Sequence, residues 1–212
     1  MEHIIVSNKM DYLDTHNILS PQQHGFRSKH SCKTQLIGFT QEIADSLDQG
    51  QQTDVIVMDF SEAFDKVDHH KLVHELKHMC ENPYIARCIK DFLHNRSQQV
   101  LVENKVSHSL PVLSGVPQCS VVGPSLFLAY INDLPGSVRS RVSLFADDTI
   151  VYLTIKSHVS VQNFHEDLHN LELWEKECSM EFNSVKCEVL KIHRKKKPVI
   201  FPSVCALIIF RL

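Results

Sequence analysis

The chain has 212 residues, 43% hydrophobic and 22% charged, with six glycines, eight prolines and a formal net charge of −3. This balance suits one globular domain, or one with an incomplete neighbour, and excludes wholesale disorder, collagen and low complexity. No run reaches the ~18 uninterrupted apolar residues of a membrane span, so no membrane partner is expected.

The N-terminal stretch carries apolar residues at helical spacing, with Ile4, Ile5, Tyr12 and Leu13 as anchors. Asn17 to Gly25 reads as a loop. A helix follows from about Ser31 to Leu47, with Leu36, Thr40, Ile43, Ala44 and Leu47 on one face and Gly50 ending it. Val55 to Met58 is a short apolar run, the pattern of a strand buried on both faces, and it delivers Asp59 at its end. Leu72, Val73, Leu76 and Met79 mark one amphipathic helix, and Ile85, Ile89, Phe92 and Leu93 another. Val100–Glu103 and Leu110–Leu113 read as two strands around a polar turn. Gly123-Pro124 opens a helix lined by Phe127, Tyr130, Ile131 and Leu134. Val142–Phe145 and Thr149–Leu153 form a hairpin pattern with acids at its tip. Residues 161 to 178 repeat apolar side chains every three or four positions, the longest helix signal. Cys187–Ile192 is the last strand. Strands mixed with crossover helices make the fold class α+β or mixed α/β.

Charge is unevenly spread. Between Thr40 and Glu81 ten acids face three lysines, whereas Lys186 to Lys197 holds six basic residues and one acid. Acid in the middle with base on the flanks suits a metal-dependent enzyme acting on a polyanion. The seven cysteines contain no C-x-x-C pair, which argues against a structural zinc site of the usual spacing. With no basic and apolar leader at the start, the expected setting is a reducing intracellular one, nucleus or cytoplasm.

The informative acids are Asp59 and the pair Asp147-Asp148. Each stands at the end of an apolar strand, where an ionised carboxylate is costly unless paired or bound to a cation. Asp59 precedes Asp147 by 88 residues, so only folding can bring them together. Gathered on adjacent strand ends, such carboxylates can hold one or two hard divalent ions, Mg²⁺ above all. Two ions about 4 Å apart can activate a hydroxyl and stabilise a leaving oxygen in phosphoryl transfer, which requires the three acids to lie within roughly 10 Å of one another. Aspartate is also common in turns, and spacing alone leaves that alternative open. His70, His74 and His78 share a helix face. They read as a solvated face, because neither H-E-x-x-H logic nor a cysteine partner supports a metal site. The run Arg194 to Lys197 reads equally as a nucleic-acid contact, a localisation signal or a solvated extension.

Five words stand in one order: HGFR (24–27), VIVMDFSEAFDKVDH (55–69), SGVPQCSVVGPSLFLAYINDLP (114–135), LFADDT (144–149) and WEKECSMEFNSVKCEVLKI (174–192). From about Ile4 to Pro202 the chain thereby resembles the reverse transcriptase domain of non-LTR (LINE-type) retrotransposons, of the chicken-repeat-1-like and jockey-like groups. The resemblance implies a polymerase palm with partial fingers, an antiparallel sheet packed on helices. Fingers would occupy about 1–53 and palm about 54–193 of a reverse transcriptase domain at 1–202. The thumb would be absent, no endonuclease domain would precede, and 203–212 would be a divergent apolar tail.

The implied activity is RNA-directed DNA synthesis by two-metal transfer from a dNTP to a primer 3′-hydroxyl, on an RNA template with a DNA primer. The implied cofactor is Mg²⁺, two ions, with Mn²⁺ as a substitute. Asp59, Asp147 and Asp148 match the catalytic acids, with the Phe60 carbonyl as an added ligand. Phe64 matches the aromatic gate that leaves no room for a 2′-hydroxyl, and Gln118 the residue beside nucleotide and templating base. Arg27 matches a fingers contact to triphosphate or template, with Lys29 and Lys33 as backbone-facing helpers, and Lys186 a general acid near the pyrophosphate. The sequence departs from the family pattern where Pro117-Gln118-Cys119 replaces Pro-Gln-Gly. It also departs at Met79 to Pro83, where a glycine turn is usual, and at Ser184-Val185, where Pro-Asp is usual. These departures, with the missing parts, open an alternative: a catalytically silent remnant that keeps the palm fold and weak nucleic-acid affinity.

Overall fold

The computed structural model describes residues 2–79 and 83–194. The turn residues 80–82, the lysines at 195–197 and the tail at 203–212 lie outside the described residues. The elements, in order, are α1 (Glu2–Thr15), α2 (Cys32–Asp48), β1 (Gln52–Met58), α3 (His69–Met79), α4 (Pro83–Leu93), β2 (Ser97–Gln98), β3 (Leu101–Val102), β4 (Lys105–Val106), β5 (Leu110–Pro111), α5 (Val122–Tyr130), β6 (Arg141–Phe145), β7 (Asp148–Ile155), α6 (His158–Glu177) and β8 (Glu188–Ile192). They belong to two compact units, and the chain passes between them more than once. One unit comprises the chain up to Leu19 together with Phe64–Tyr130. The other comprises Ser20–Ala63 and the chain from Ile131 onward. Among the described residues no helix is long and apolar enough to cross a membrane.

The second unit is built on a four-stranded sheet in the order β6-β7-β1-β8, with every neighbouring pair antiparallel. β1 is interior, as its apolar run predicts, but it begins three residues earlier and takes Gln52, Thr53 and Asp54 into the core. Buried polar groups must be partnered, and these are. Gln52 Nε2 donates to Asp54 Oδ1 at 2.8 Å, and the Thr53 and Ser46 hydroxyls pair at 2.8 Å. Val55 and Val57 face one side of the sheet, where Ile43, Phe39 and Leu47 of α2 pack with Tyr152 and Ile150. By strand alternation Ile56 and Met58 point to the other side.

Helix α2 starts at a capping box: Ser31 Oγ accepts from Thr34 N–H and Thr34 Oγ1 accepts from Ser31 N–H. Its buried seam corrects the sequence reading. Gln35, Ile43 and Ser46 are buried while Leu36 is half exposed and Thr40 and Ala44 face solvent. Two polar residues lie on the seam, so a hydrophobicity count turns the face by one position. In α6 the apolar repeat of Val161, Phe164, Leu168, Leu171 and Trp174 is buried as its spacing predicts, and the helix packs on β7.

In the first unit α5 is buried along almost its whole length and contacts α1 and α3. Leu128 of α5 clusters with Leu13 and Leu19. Ile4, expected as an anchor, is 67% exposed, because it lies at the end of α1 remote from that cluster. The side chain of Ile5 lies outside the described residues. The two expected strands at 100–103 and 110–113 do not pair with each other. β3 pairs with β4 around Glu103-Asn104, both with positive φ as a type I′ turn requires, while β2 pairs with β5 at the base.

Candidate active site

β6 and β7 are joined by the two-residue turn Ala146-Asp147, since Phe145 pairs with Asp148. Across the other edge of β7, Met58 pairs with Thr149, so one further step along the antiparallel register sets Asp59 opposite Asp148. Directly opposed residues of such strands have Cα atoms about 4.5–5.5 Å apart. The three acids predicted from sequence therefore stand at one end of the sheet. Their charges act on one another. Burial first, then the carboxylates of Asp147 and Asp59, raise the Asp148 carboxyl above its usual range, with Lys186 opposing.

Lys186 Nζ meets Asp59 Oδ2 at 2.6 Å. The hydrogen bond and charge of Asp59 strengthen the hold of this exposed ammonium on its proton. The Asp59 backbone is anchored from the same segment. Asn183 N–H donates to Asp59 O and Ser61 N–H to Glu181 O, both at 2.7 Å. Phe60 and Phe182 pair as an isolated bridge with rings stacked 4.5 Å apart. Neither backbone bond uses the Phe60 carbonyl. Buried Glu175 fixes this segment by accepting from Phe182 N–H at 2.7 Å.

As they stand, no three His, Cys, Asp or Glu side chains among the described residues form a metal-holding group. The donor chemistry nevertheless fits a hard divalent ion. Carboxylates stand at adjacent strand ends, burial and then their mutual repulsion raise the Asp148 carboxyl, and a lysine ammonium sits on Asp59 as counter-charge.

Phe64 and Gln118 lie in the first unit, where the structure joins them to one loop. Val116 N–H donates to Phe64 O and Gly115 N–H to Val67 O, each at 2.8 Å. Gln118 Nε2 donates to Asp65 Oδ1 at 2.8 Å. Gly115 has φ +88, and a Cβ there would stand 2.9 Å from Asp65 Cα, so glycine is required by both conformation and space. The Phe64 ring stacks on Phe127 at 4.8 Å. Buried His69, which sequence reasoning passed over, pairs through Nε2 with Gly115 O at 2.8 Å, and an accepting carbonyl makes that nitrogen the donor. Asp65 was passed over as well. Arg96, Asp65 and Gln118 are among the residues lining a cavity of about 620 Å³ along this loop.

Arg27 donates to Ser20 O at 2.8 Å, bracing its own loop. Lys29 and Lys33 are exposed, and so are His70, His74 and His78, as a solvated helix face requires.

An antiparallel sheet with acids at the end of an interior strand and at the neighbouring hairpin tip defines a polymerase palm. Comparison with known proteins agrees. Residues 3–203 match the family "Reverse transcriptase (RNA-dependent DNA polymerase)". Among solved structures, the telomerase of Candida albicans, determined with a fragment of telomeric RNA, superposes with a TM-score of 0.68 at 14% identity, covering 94% of this chain and 35% of that one. The Candida tropicalis telomerase gives 0.66 at 11%, covering 89% and 33%; at such identities the likeness is one of fold. Among curated proteins of Drosophila melanogaster, the probable RNA-directed DNA polymerase from transposon BS is 28% identical over 87% of this chain. The RNA-directed DNA polymerase from mobile element jockey is 26% identical over 88%. The chain spans about a fifth of the length of these relatives, 21% in both cases. The chain belongs to the reverse transcriptase family, and the relatives named here bear the names of RNA-directed DNA polymerases, one of them probable, of a transposon and a mobile element.

Proposed function

We propose that this chain is the RNA-directed DNA polymerase domain of a non-LTR retrotransposon, working inside the cell, in nucleus or cytoplasm. It would extend a DNA primer on an RNA template by transferring deoxynucleotides from dNTPs to the primer 3′-hydroxyl. The observation that supports this best is the convergence of Asp59, Asp147 and Asp148 across the β1–β7 register. The fingers role for about 1–53 and the palm role for about 54–193 belong to the same reading.

Two divalent ions, Mg²⁺ with Mn²⁺ as substitute, would be held by Asp59, Asp147 and Asp148 with the Phe60 carbonyl. When bound they lower the pKa of the attacking hydroxyl and neutralise charge on the leaving pyrophosphate. The chain's own groups do the rest. Lys186, protonated and beside Asp59, holds a proton at Nζ for the leaving pyrophosphate. Phe64, its ring backed by Phe127, presents a stiff apolar edge against a 2′-hydroxyl. Gln118 orients without adding charge, its Nε2 engaged by Asp65 and its carbonyl available to accept. Arg27 and the lysines near it supply positive charge for triphosphate or template.

Primer extension on an RNA template tests the reading. Asp147→Asn should lower incorporation by at least about 100-fold, the scale for removing one electrostatic stabiliser of the transition state. A wild-type chain inert on every template with both Mg²⁺ and Mn²⁺ would reject it. The second reading, a silent domain that keeps the fold, draws support from Cys119, which holds φ +56 where the family has glycine.

A further inference from the structure

Gln23 lies in the loop before α2, yet it is only 3% exposed. Its side-chain amide reaches the β6–β7 turn, 123 residues away in sequence. Oε1 accepts from Ala146 N–H at 2.9 Å and from Gly25 N–H at 2.7 Å, and Nε2 donates to Ala146 O at 3.3 Å. Both polar groups of residue 146 are therefore gripped by one amide.

The backbone on either side repeats the grip. His24 N–H donates to Leu144 O at 2.8 Å and Leu144 N–H to Gln22 O at 2.9 Å, an isolated parallel bridge on the edge of β6. Gly25 makes the approach possible, since a Cβ there would stand 2.3 Å from Ala146 N. Ala146 has φ +55, a left-handed conformation that alanine does not hold unaided. Asp147 follows directly, so the orientation of the 146–147 peptide sets the direction from which its carboxylate departs.

We infer that Gln23 is a positioning residue for Asp147. Its amide holds Ala146 left-handed, and Gly25 admits it to the turn. The inference deepens the polymerase reading and rests on it for the role of Asp147. It also carries a consequence that needs no catalysis, namely that the acid-bearing turn owes its rigidity to the Gln23 amide.

The test compares the full chain with Gln23→Met, which keeps volume but removes the amide, and Gln23→Glu, which keeps an acceptor for Ala146 N–H. Three quantities are read: amide hydrogen exchange at residues 145–149, Mn²⁺ affinity without nucleotide by electron paramagnetic resonance, and kcat and KM for dNTP. Gln23→Met should speed exchange at Ala146 about tenfold or more while β1 amides keep their protection, on the scale of one or two lost hydrogen bonds. It should weaken Mn²⁺ binding by about tenfold and lower kcat with KM for dNTP nearly unchanged, the mark of a misplaced group rather than a lost binding contact. Gln23→Glu should restore protection at Ala146. Exchange at Ala146 that does not respond to Gln23→Met, or that rises only together with β1 as the whole sheet loosens, overturns the inference. So does failure of Gln23→Glu to restore it. A wild type that incorporates no dNTP defeats the polymerase reading alone, because the exchange data still judge the clamp.

Discussion

Cys119 shows how one side chain can set the condition of a site. It sits directly after Gln118 with φ +56, in a loop whose next residues are pinned by Ser120 Oγ, which donates to Pro117 O and accepts from Gly123 N–H. A left-handed residue with a Cβ costs about 1–2 kcal/mol relative to glycine, part of which glycine's greater freedom in the unfolded chain offsets. Cys119→Gly should therefore stabilise the chain by about 1 kcal/mol, read from the denaturant midpoint, and should raise dNTP incorporation. A drop in either quantity would contradict the steric argument. At this scale Asp59, Asp147 and Asp148 were legible because a charged residue closing an apolar strand is conspicuous. Gln23, Asp65 and His69 were not. They look like ordinary polar residues until folding supplies partners 123, 53 and 46 positions away.

At the scale of the element, β1 carries a cost that its apolar run conceals. Asp54 is 2% exposed, and burial raises its carboxyl above the usual range, only partly offset by the Gln52 hydrogen bond and by Lys191 and His193. The folded chain thus keeps this proton at pH values where the unfolded chain has released it. Stability consequently falls as pH rises from the ordinary carboxylate range through the raised value, and the full penalty persists above it. Asp54→Asn preserves an acceptor for Gln52 and removes that penalty. It should flatten this part of the stability–pH profile and raise the neutral-pH melting temperature, by roughly 2–4 °C for each 1 kcal/mol regained. A variant less stable than wild type at neutral pH would show that the carboxylate is better compensated than its surroundings indicate. The same strand explains where pattern reading falls short. Val55 to Met58 announced a buried strand, whereas polar Gln52 to Asp54 carry no such signal, because their partners lie in α2 and within β1 itself. The ribbons β2 to β5 were misread for a related reason: their residues are exposed, so no buried face imposed a register.

At the scale of the molecule, the chain gathers acids at one end of a sheet and balances them with Lys186. A divalent ion bound there should stabilise the fold through mass action, by about 2.7 kcal/mol at a hundredfold excess over its dissociation constant. Adding Mn²⁺ should accordingly raise the melting temperature of the wild type by several degrees, and chelation should reverse the gain. In Asp59→Asn and Asp148→Asn the gain should vanish. An equal gain in these variants would place the ion elsewhere.

The chain crosses between its two units at residues 19, 63 and 130, and this governs what a ribosome releases. Everything the first unit needs has been made by Tyr130. β1, already synthesised, has no sheet neighbour until β7 follows, about ninety residues after it. At roughly 5–20 residues per second, an apolar strand with two bare edges waits several seconds in the open. Slow, cool expression with chaperone capacity to spare is the regime in which this polypeptide should be recovered intact.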